Sequence, residues 1–149
     1  MSLRQRDFIL RMIEQLAEAL GRIAGLRRAG QLEEAEQLLR ATADGLFGPM
    51  RDMLDRLDAA GAATLLGDHE KIGAYAALCA EQAAILELRG QGAQALSERR
   101  RALELHLEAV SRAPEGNTRA EDGARALLGQ VDVARLPERY RALAARLRV

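Results

Sequence analysis

Apolar residues recur at helical spacing along most of the chain. The first run places Ile9, Ile13, Leu16, Leu20 and Ile23 three or four residues apart, with polar residues on the opposite side. This spacing predicts an amphipathic helix over residues 3–28. No segment alternates apolar and polar residues with a period of two over a useful length. The pattern predicts an all-α protein with six or seven helices in a single domain, residues 1–149.

The stretch DFILRMIEQL, residues 7–16, widens the apolar sector of this first helix. Phe8, Leu10 and Met12 add apolar side chains beside Ile9 and Ile13. A helix that is apolar over a wide arc contacts two or more neighbours. We therefore interpret the stretch as a packing element between other helices or between subunits. A homodimer through the N-terminal helix would explain it, because the first helix would then pack against its symmetry mate.

Glycines and capping residues divide the rest of the chain into helices. Gly30 fits a helix C-terminus, where a positive φ is required, and the short loop around it predicts an antiparallel hairpin. Asp68 is expected to cap a helix that reaches about Arg89 and is the most buried of the protein. Thr118 and Glu121 have the spacing of a capping box at the start of a later helix.

The helix predicted over about residues 93–113 separates apolar from charged positions. Its expected inward residues are Leu96, Leu103, Leu107 and Val110. Its expected solvent-facing residues are Glu98, Arg101, Glu104, Glu108 and Arg112. Arg101 lies at helical spacing from Glu98, Glu104 and Glu108, so we expect it to form an ion pair with one of them on a solvated face.

Two hairpins share a sequence pattern. LRRAGQLEEAEQLLR and LELRGQGAQALSERR align when Gly30 is placed on Gly90. The pattern resembles the tetratricopeptide repeat, which has a glycine at the turn, an alanine five residues later and another alanine seven residues further on. Gly90, Ala95 and Ala102 have this spacing; Gly30 and Ala35 also fit, but Thr42 replaces the final alanine. The opening of the chain also resembles a group of short bacterial helical proteins with this repeat-like architecture.

The resemblance implies antiparallel helix hairpins in a right-handed superhelix-like array. Tetratricopeptide modules commonly bind peptides with the inner face of the first helix of each unit. Carried over to this sequence, the protein-binding groove comprises Ala17, Leu20, Ala24, Arg27, Arg28, Ala77, Ala80, Ala84, Glu87 and Leu88. Its Ala/Leu floor, with charges only at the ends, suits an apolar helix. The alternative is that the protein's own third or last helix fills the groove.

Composition narrows the function classes. Formal net charge is zero, which argues against a protein attracted as a whole to nucleic acid or anionic membrane. The chain has one cysteine, so an intramolecular disulfide and a multi-thiolate metal site are excluded. No signal-peptide pattern and no 18-residue apolar run is present, which makes the cytoplasm the expected location.

The few candidates for chemistry are isolated. His69 and His106 lie next to carboxylates in sequence, but His106 has no second metal ligand three or four residues away on its helix. We expect both histidines to be ordinary and partly exposed, and Cys79 to be a buried thiol that packs as a small apolar group. No catalytic, cofactor or metal site is predicted. An enzyme would need these groups to converge in space.

The C-terminal segment RLPERYRALAARLRV is rich in arginine. It carries Arg135, Arg139, Arg141, Arg146 and Arg148 against the single acid Glu138. Tyr140, Leu143 and Leu147 form an apolar edge, by which a terminal helix would dock with its arginines in water. The alternative is contact with anionic lipid, nucleic acid or an acidic partner.

These features favour a non-enzymatic helical scaffold or adaptor. Its partner is expected to be another protein or peptide, or a second copy of the chain. The alternative is a small regulatory module that contacts nucleic acid or anionic membrane through the arginine-rich C-terminal helix.

Overall fold

Eight α-helices build the part of the chain that this computed structural model describes, residues 2–148. They are α1 (Leu3–Arg28), α2 (Leu32–Phe47), α3 (Arg51–Arg56), α4 (Ala59–Leu66), α5 (His69–Leu88), α6 (Gly92–Ser111), α7 (Thr118–Leu128) and α8 (Glu138–Leu147). Seven have eight or more residues, and α3 has six. Single 3-10 turns occur at Gly48–Met50 and Val133–Arg135. The all-α prediction is confirmed, since residues 2–148 contain no strand. No helix in this range has the length and apolar character needed to cross a membrane.

The turns after α1 and α5 have the same backbone geometry. Gly30 has a φ of 79° and Gly90 a φ of 78°, the left-handed region that favours glycine. In each turn the amide after the glycine donates to the carbonyl five residues earlier, at 2.9 Å, and the glycine amide donates to a carbonyl three residues back. This pair of bonds is the Schellman motif. The two glycines aligned in sequence therefore occupy equivalent positions.

Helices α5 and α6 form the central antiparallel hairpin of the fold. Helices α1 and α2 contact α5, while α4, α7 and α8 contact α6. Helix α1 runs parallel to α5: near their C-terminal ends Arg27 Nε lies 3.0 Å from Glu81 Oε2, and near their N-terminal ends Ile9 borders the same cavity as Asp68. Helix α7 contacts α5 as well as α6. Helices α1 and α7 thus both lie against α5.

Two charged residues of α6 are not on a solvated face, so that prediction was wrong. Glu108 is fully buried, and the guanidinium of Arg101 is partly buried. Arg101 does pair with Glu98, at 3.9 Å, but it also donates to main-chain carbonyls. Arg101 Nη2 lies 2.6 Å from Leu54 O and 3.0 Å from Leu57 O, and Nη1 lies 2.8 Å from the Tyr75 hydroxyl. The cause is that neighbouring helices cover α6 on several sides.

The Glu108 carboxylate binds two residues of α8. The guanidinium of Arg139 donates to both carboxylate oxygens, with Nη1 at 3.1 Å from Oε2, and the Tyr140 hydroxyl donates to Oε2 at 2.9 Å. Tyr140 and Leu147 are buried against the rest of the fold. Helix α8 is therefore docked by its apolar edge, as expected for a terminal helix with its arginines in water. It is held additionally by the ion pair between the buried Glu108 and the half-exposed Arg139.

Some further predictions were wrong in detail. Leu96, expected inward, is 59% exposed, because it lies in the first turns of α6. Asn117 rather than Thr118 caps α7, since its side-chain oxygen accepts the Ala120 amide at 3.1 Å. Helix α5, by contrast, is covered along most of its length, as predicted: eight of its residues are buried and only Glu87 and Leu88 are exposed, whereas α6 of the same length buries nine residues and exposes seven.

The wide apolar sector of α1 is only partly covered. Ile9 and Met12 are buried, but Phe8 is 57% and Leu10 48% exposed. Phe8 and Leu10 lie about 200° apart around the helix axis, at the two edges of the buried sector. Within residues 2–148 the fold therefore covers the middle of the sector and leaves its edges open.

Candidate functional site

An apolar cleft of about 340 Å³ lies between α1, α5 and α7. Ile13, Leu16 and Leu20 of α1 line one side, and Leu127 of α7 lines the other. The remaining apolar lining consists mainly of small residues, among them Gly73, Ala74, Ala77, Ala80, Ala120 and Gly123. Because alanine has a short side chain and glycine has none, α1 and α7 both contact α5 without filling the space between them. A volume of this size lies in the range of sites that accept a ligand or an inserted side chain.

Charged residues are confined to the ends of the cleft. On α5 its lining extends from Glu70 to Glu81, which corresponds to about 16 Å at the rise of an α-helix. Glu81 is paired with Arg27 of α1, while Glu70 and the exposed Arg119 lie at the opposite end. Between these ends the cleft presents an apolar surface about three helical turns long.

His106 is the polar residue at the bottom of the cleft. It belongs to α6, behind α5 and α7, and is 4% exposed. Its Nδ1 has no hydrogen-bond partner among residues 2–148. Burial lowers the pKa of His106 to about 4, so the imidazole is neutral at pH 7.

The prediction that His106 is partly exposed was wrong. The residues three and four positions away on α6 are Ala102, Leu103, Ala109 and Val110. None of them can ligate a metal together with His106. The same four residues place the histidine on an apolar face, which was the available signal that it is buried.

Gly123 allows α7 to approach this imidazole closely. A Cβ atom at Gly123 would lie 2.4 Å from Cε1 and 2.6 Å from Nε2 of His106. These distances are far shorter than van der Waals contact. The backbone of α7 therefore packs directly on the ring, and only glycine fits this position without a shift of the helix or the histidine.

The other candidates for chemistry lie apart from the imidazole of His106. His69 Nδ1 is 3.0 Å from Nδ2 of Asn117, the residue that caps α7, and the His69 side chain is 22% exposed, as expected. Cys79 is buried, as predicted, and its Sγ lies 3.5 Å from Arg101 Nη1. Burial raises the pKa of this thiol well above its usual value. Among residues 2–148 no three His, Cys, Asp or Glu side chains are grouped so that they could hold a metal ion.

Four residues of the groove inferred from the sequence line the cleft. They are Ala17 and Leu20 on α1 and Ala77 and Ala80 on α5. Ala17 is exposed and the other three are partly buried, so their side chains are accessible from the cleft.

The other six groove residues lie outside the cleft lining, toward the C-terminal ends of α1 and α5. Arg27 pairs with Glu81, and Glu87 pairs with Arg99 of α6. The remaining four are Ala24, Arg28, Ala84 and Leu88, of which Arg28 and Leu88 are exposed.

Sequence reasoning missed the wall formed by α7. The repeat alignment covered only the hairpins around Gly30 and Gly90, and the turn after α7 differs from both. Gly129 has a φ of −80°, whereas the other two glycines have positive values.

No family model, curated protein or solved structure matches this chain.

Replacement of Gly123 with alanine should destabilise the protein. The added methyl group would overlap the His106 ring, and overpacking of this kind typically costs about 1–3 kcal/mol. Urea unfolding measures the loss. Gly21→Ala is the matched control, because nothing lies within 4 Å of a Cβ there and the position is inside α1, so its stability should rise slightly. Equal effects of the two substitutions would contradict this packing.

Protonation of His106 should destabilise the fold below about pH 6.5. The pKa of an unfolded histidine is about 6.5, whereas that of folded His106 is about 4. Between these values the unfolded chain binds more protons, so the free energy of unfolding falls as the pH falls. We expect this residue to account for a loss of about 3 kcal/mol by pH 4, measured by urea unfolding at several pH values. The His106→Leu variant should lack this component; identical pH profiles would show that His106 is not buried as a neutral group.

Proposed function

We propose that this chain is a non-enzymatic helical scaffold or adaptor that binds another protein, and that the cleft between α1, α5 and α7 receives the bound segment. The observation that carries the proposal is the cleft itself: about 340 Å³, lined mainly by apolar side chains, with its charges at the ends. Larger apolar surfaces left exposed in a folded protein commonly mark interaction sites.

The arrangement of the hairpins supports a tetratricopeptide-like reading of the fold. Helices α1 and α5 open hairpins with equivalent Schellman turns, and they run parallel to each other. Helix α7 comes next and also contacts α5. In a tetratricopeptide-like array the first helix of each hairpin lines the inner surface, and the cleft is formed by these three helices.

The exposed edge of α1 favours a helix as the bound segment. Leu3, Leu10, Ala17 and Ala24 follow one another at intervals of seven residues. Ile13 and Leu20 come three residues after Leu10 and Ala17 and line the cleft, with Arg6 and Arg27 at the two ends of this second row. Over residues 10–20 the alternating spacing of three and four is that of the seam that packs helices in coiled coils.

This seam continues beyond the cleft toward the N-terminus of α1. Leu3 is 80% and Leu10 48% exposed. A second cavity of about 330 Å³ contains Leu10 and shares Ile13 and Glu70 with the cleft. An amphipathic helix laid along α1 would cover both cavities and the exposed leucines, by the helix-in-groove mode of recognition.

Site-specific photocrosslinking in cells tests the proposal. The photoreactive residue p-benzoylphenylalanine replaces Ala17, which is exposed at the cleft, or Arg22, which is exposed and lies on the opposite side of α1. We expect a discrete protein adduct from position 17 and none from position 22. The adduct should contain either another protein or a second copy of this chain, identified by mass spectrometry.

A second substitution controls for nonspecific capture. Ala77→Asp places a charge in the apolar cleft and should abolish the adduct, because burying an unpaired carboxylate is costly. Ala142→Asp, at an exposed position of α8, should leave the adduct unchanged. Absence of an adduct from position 17, or equal adducts from positions 17 and 22, would contradict the proposal.

A further inference from the structure

A polar group with an unused hydrogen-bonding position lies at the bottom of an otherwise apolar cleft. His106 lines the cleft and is 4% exposed, and its Nδ1 has no partner among residues 2–148. Buried polar atoms are nearly always hydrogen-bonded, because an unpaired one loses its interaction with water without replacement. A ligand group that hydrogen-bonds to the ring would recover part of that loss.

The surroundings of the ring leave the imidazole as the polar contact at this depth of the cleft. Gly73, Ala120 and Gly123 present no hydrogen-bonding side chain, and the charged Glu70, Glu81 and Arg119 belong to the ends. Asn117 also lines the cleft, but its Oδ1 accepts the Ala120 amide and its Nδ2 lies 3.0 Å from His69 Nδ1. An apolar segment with a single polar end therefore matches the cleft better than either an entirely apolar or a highly polar one.

We propose that His106 is the hydrogen-bonding anchor of the cleft, and that the group it receives has an apolar body and a neutral hydroxyl or carboxamide end. This inference rests on the proposed function, since it names the chemistry of the side chain that a bound protein segment inserts. Tyrosine, threonine, asparagine and glutamine side chains have this character.

Because the imidazole of His106 is uncharged, the group that binds to it should be uncharged as well. His106 is uncharged at pH 7, so it offers one nitrogen that donates and one that accepts. A hydroxyl or a carboxamide can both donate and accept, and therefore suits either ring nitrogen. A carboxylate or ammonium group would lose its hydration in the apolar cleft without meeting an opposite charge at the ring.

Two small probes that differ by one hydroxyl test the inference directly. Toluene and p-cresol are titrated into the full chain, and binding at the cleft is followed by NMR through the methyl signals of Ala77 and Ala120. The ratio of the two dissociation constants is measured in the natural protein, in His106→Leu and in His69→Gln. The last variant is the matched control, because His69 does not line the cleft and glutamine preserves a partner for Asn117.

The expected result is a change in this ratio at one histidine only. The relative preference for p-cresol over toluene should fall about five- to tenfold in His106→Leu, the contribution of one net hydrogen bond, and should be unchanged in His69→Gln. In the natural protein p-cresol, but not toluene, should also shift the imidazole ¹⁵N signals of His106. This second measurement needs no variant and applies even if His106→Leu does not fold.

Two results would overturn the inference. An unchanged ratio in His106→Leu, with both probes bound at the cleft, would show that the ring is not an anchor, while the cleft would still bind apolar groups. Failure of both probes to shift the Ala77 and Ala120 signals would show that the cleft accepts no group of this kind. Failure of the proposed function is distinguishable from both, because it appears as the absence of a protein adduct from position 17.

Discussion

The buried carboxylate of Glu108 is the interaction on which the far side of the cleft depends. It is fully buried on α6, and its oxygens accept hydrogen bonds from Arg139 and Tyr140 of α8. A buried charge is tolerated only when it is paired and hydrogen-bonded. Apart from Arg112 of α6, whose Nε lies 3.7 Å from Oε1, the side chains that bind this carboxylate belong to α8. Burial and the Glu108 carboxylate both raise the pKa of the Tyr140 hydroxyl, which keeps its proton in this contact. Since α8 also contacts α7, the ion pair supports the helix that walls the cleft.

Helix α6 organises the molecule through polar residues that face different neighbours. Arg101 binds the carbonyl groups of Leu54 and Leu57 and so holds the segment inserted between the two similar hairpins. His106 lies under α7 at the bottom of the cleft, and Glu108 binds α8. Because each of these residues meets a different part of the chain, α6 fixes the relative positions of the inserted segment, the cleft and the C-terminal helix.

The residues that set local structure were readable from the sequence, and the residues that set long-range contacts were not. The positive φ of Gly30, the Asp68 cap of α5 and the limits of α1 follow from interactions within a few residues. Glu108 has the same helical spacing as solvent-exposed acids, and its partner Arg139 is 31 positions away. Periodicity shows that a position is polar but does not show which distant helix covers it. For the same reason the sequence indicated four lining residues of the cleft on α1 and α5, but neither its α7 wall nor the burial of His106.

The most direct test of this account is the contact between α7 and His106, measured by NMR in the natural protein and in Glu108→Ala. We expect a strong nuclear Overhauser effect between the His106 Hε1 proton and the Gly123 Hα protons in the natural protein. We expect a much weaker effect in Glu108→Ala, with α1, α2 and α5 still helical by their Cα chemical shifts, because α8 would no longer hold α7 in place. An equally strong effect in both proteins would show that the cleft wall does not depend on the buried carboxylate and would contradict the account.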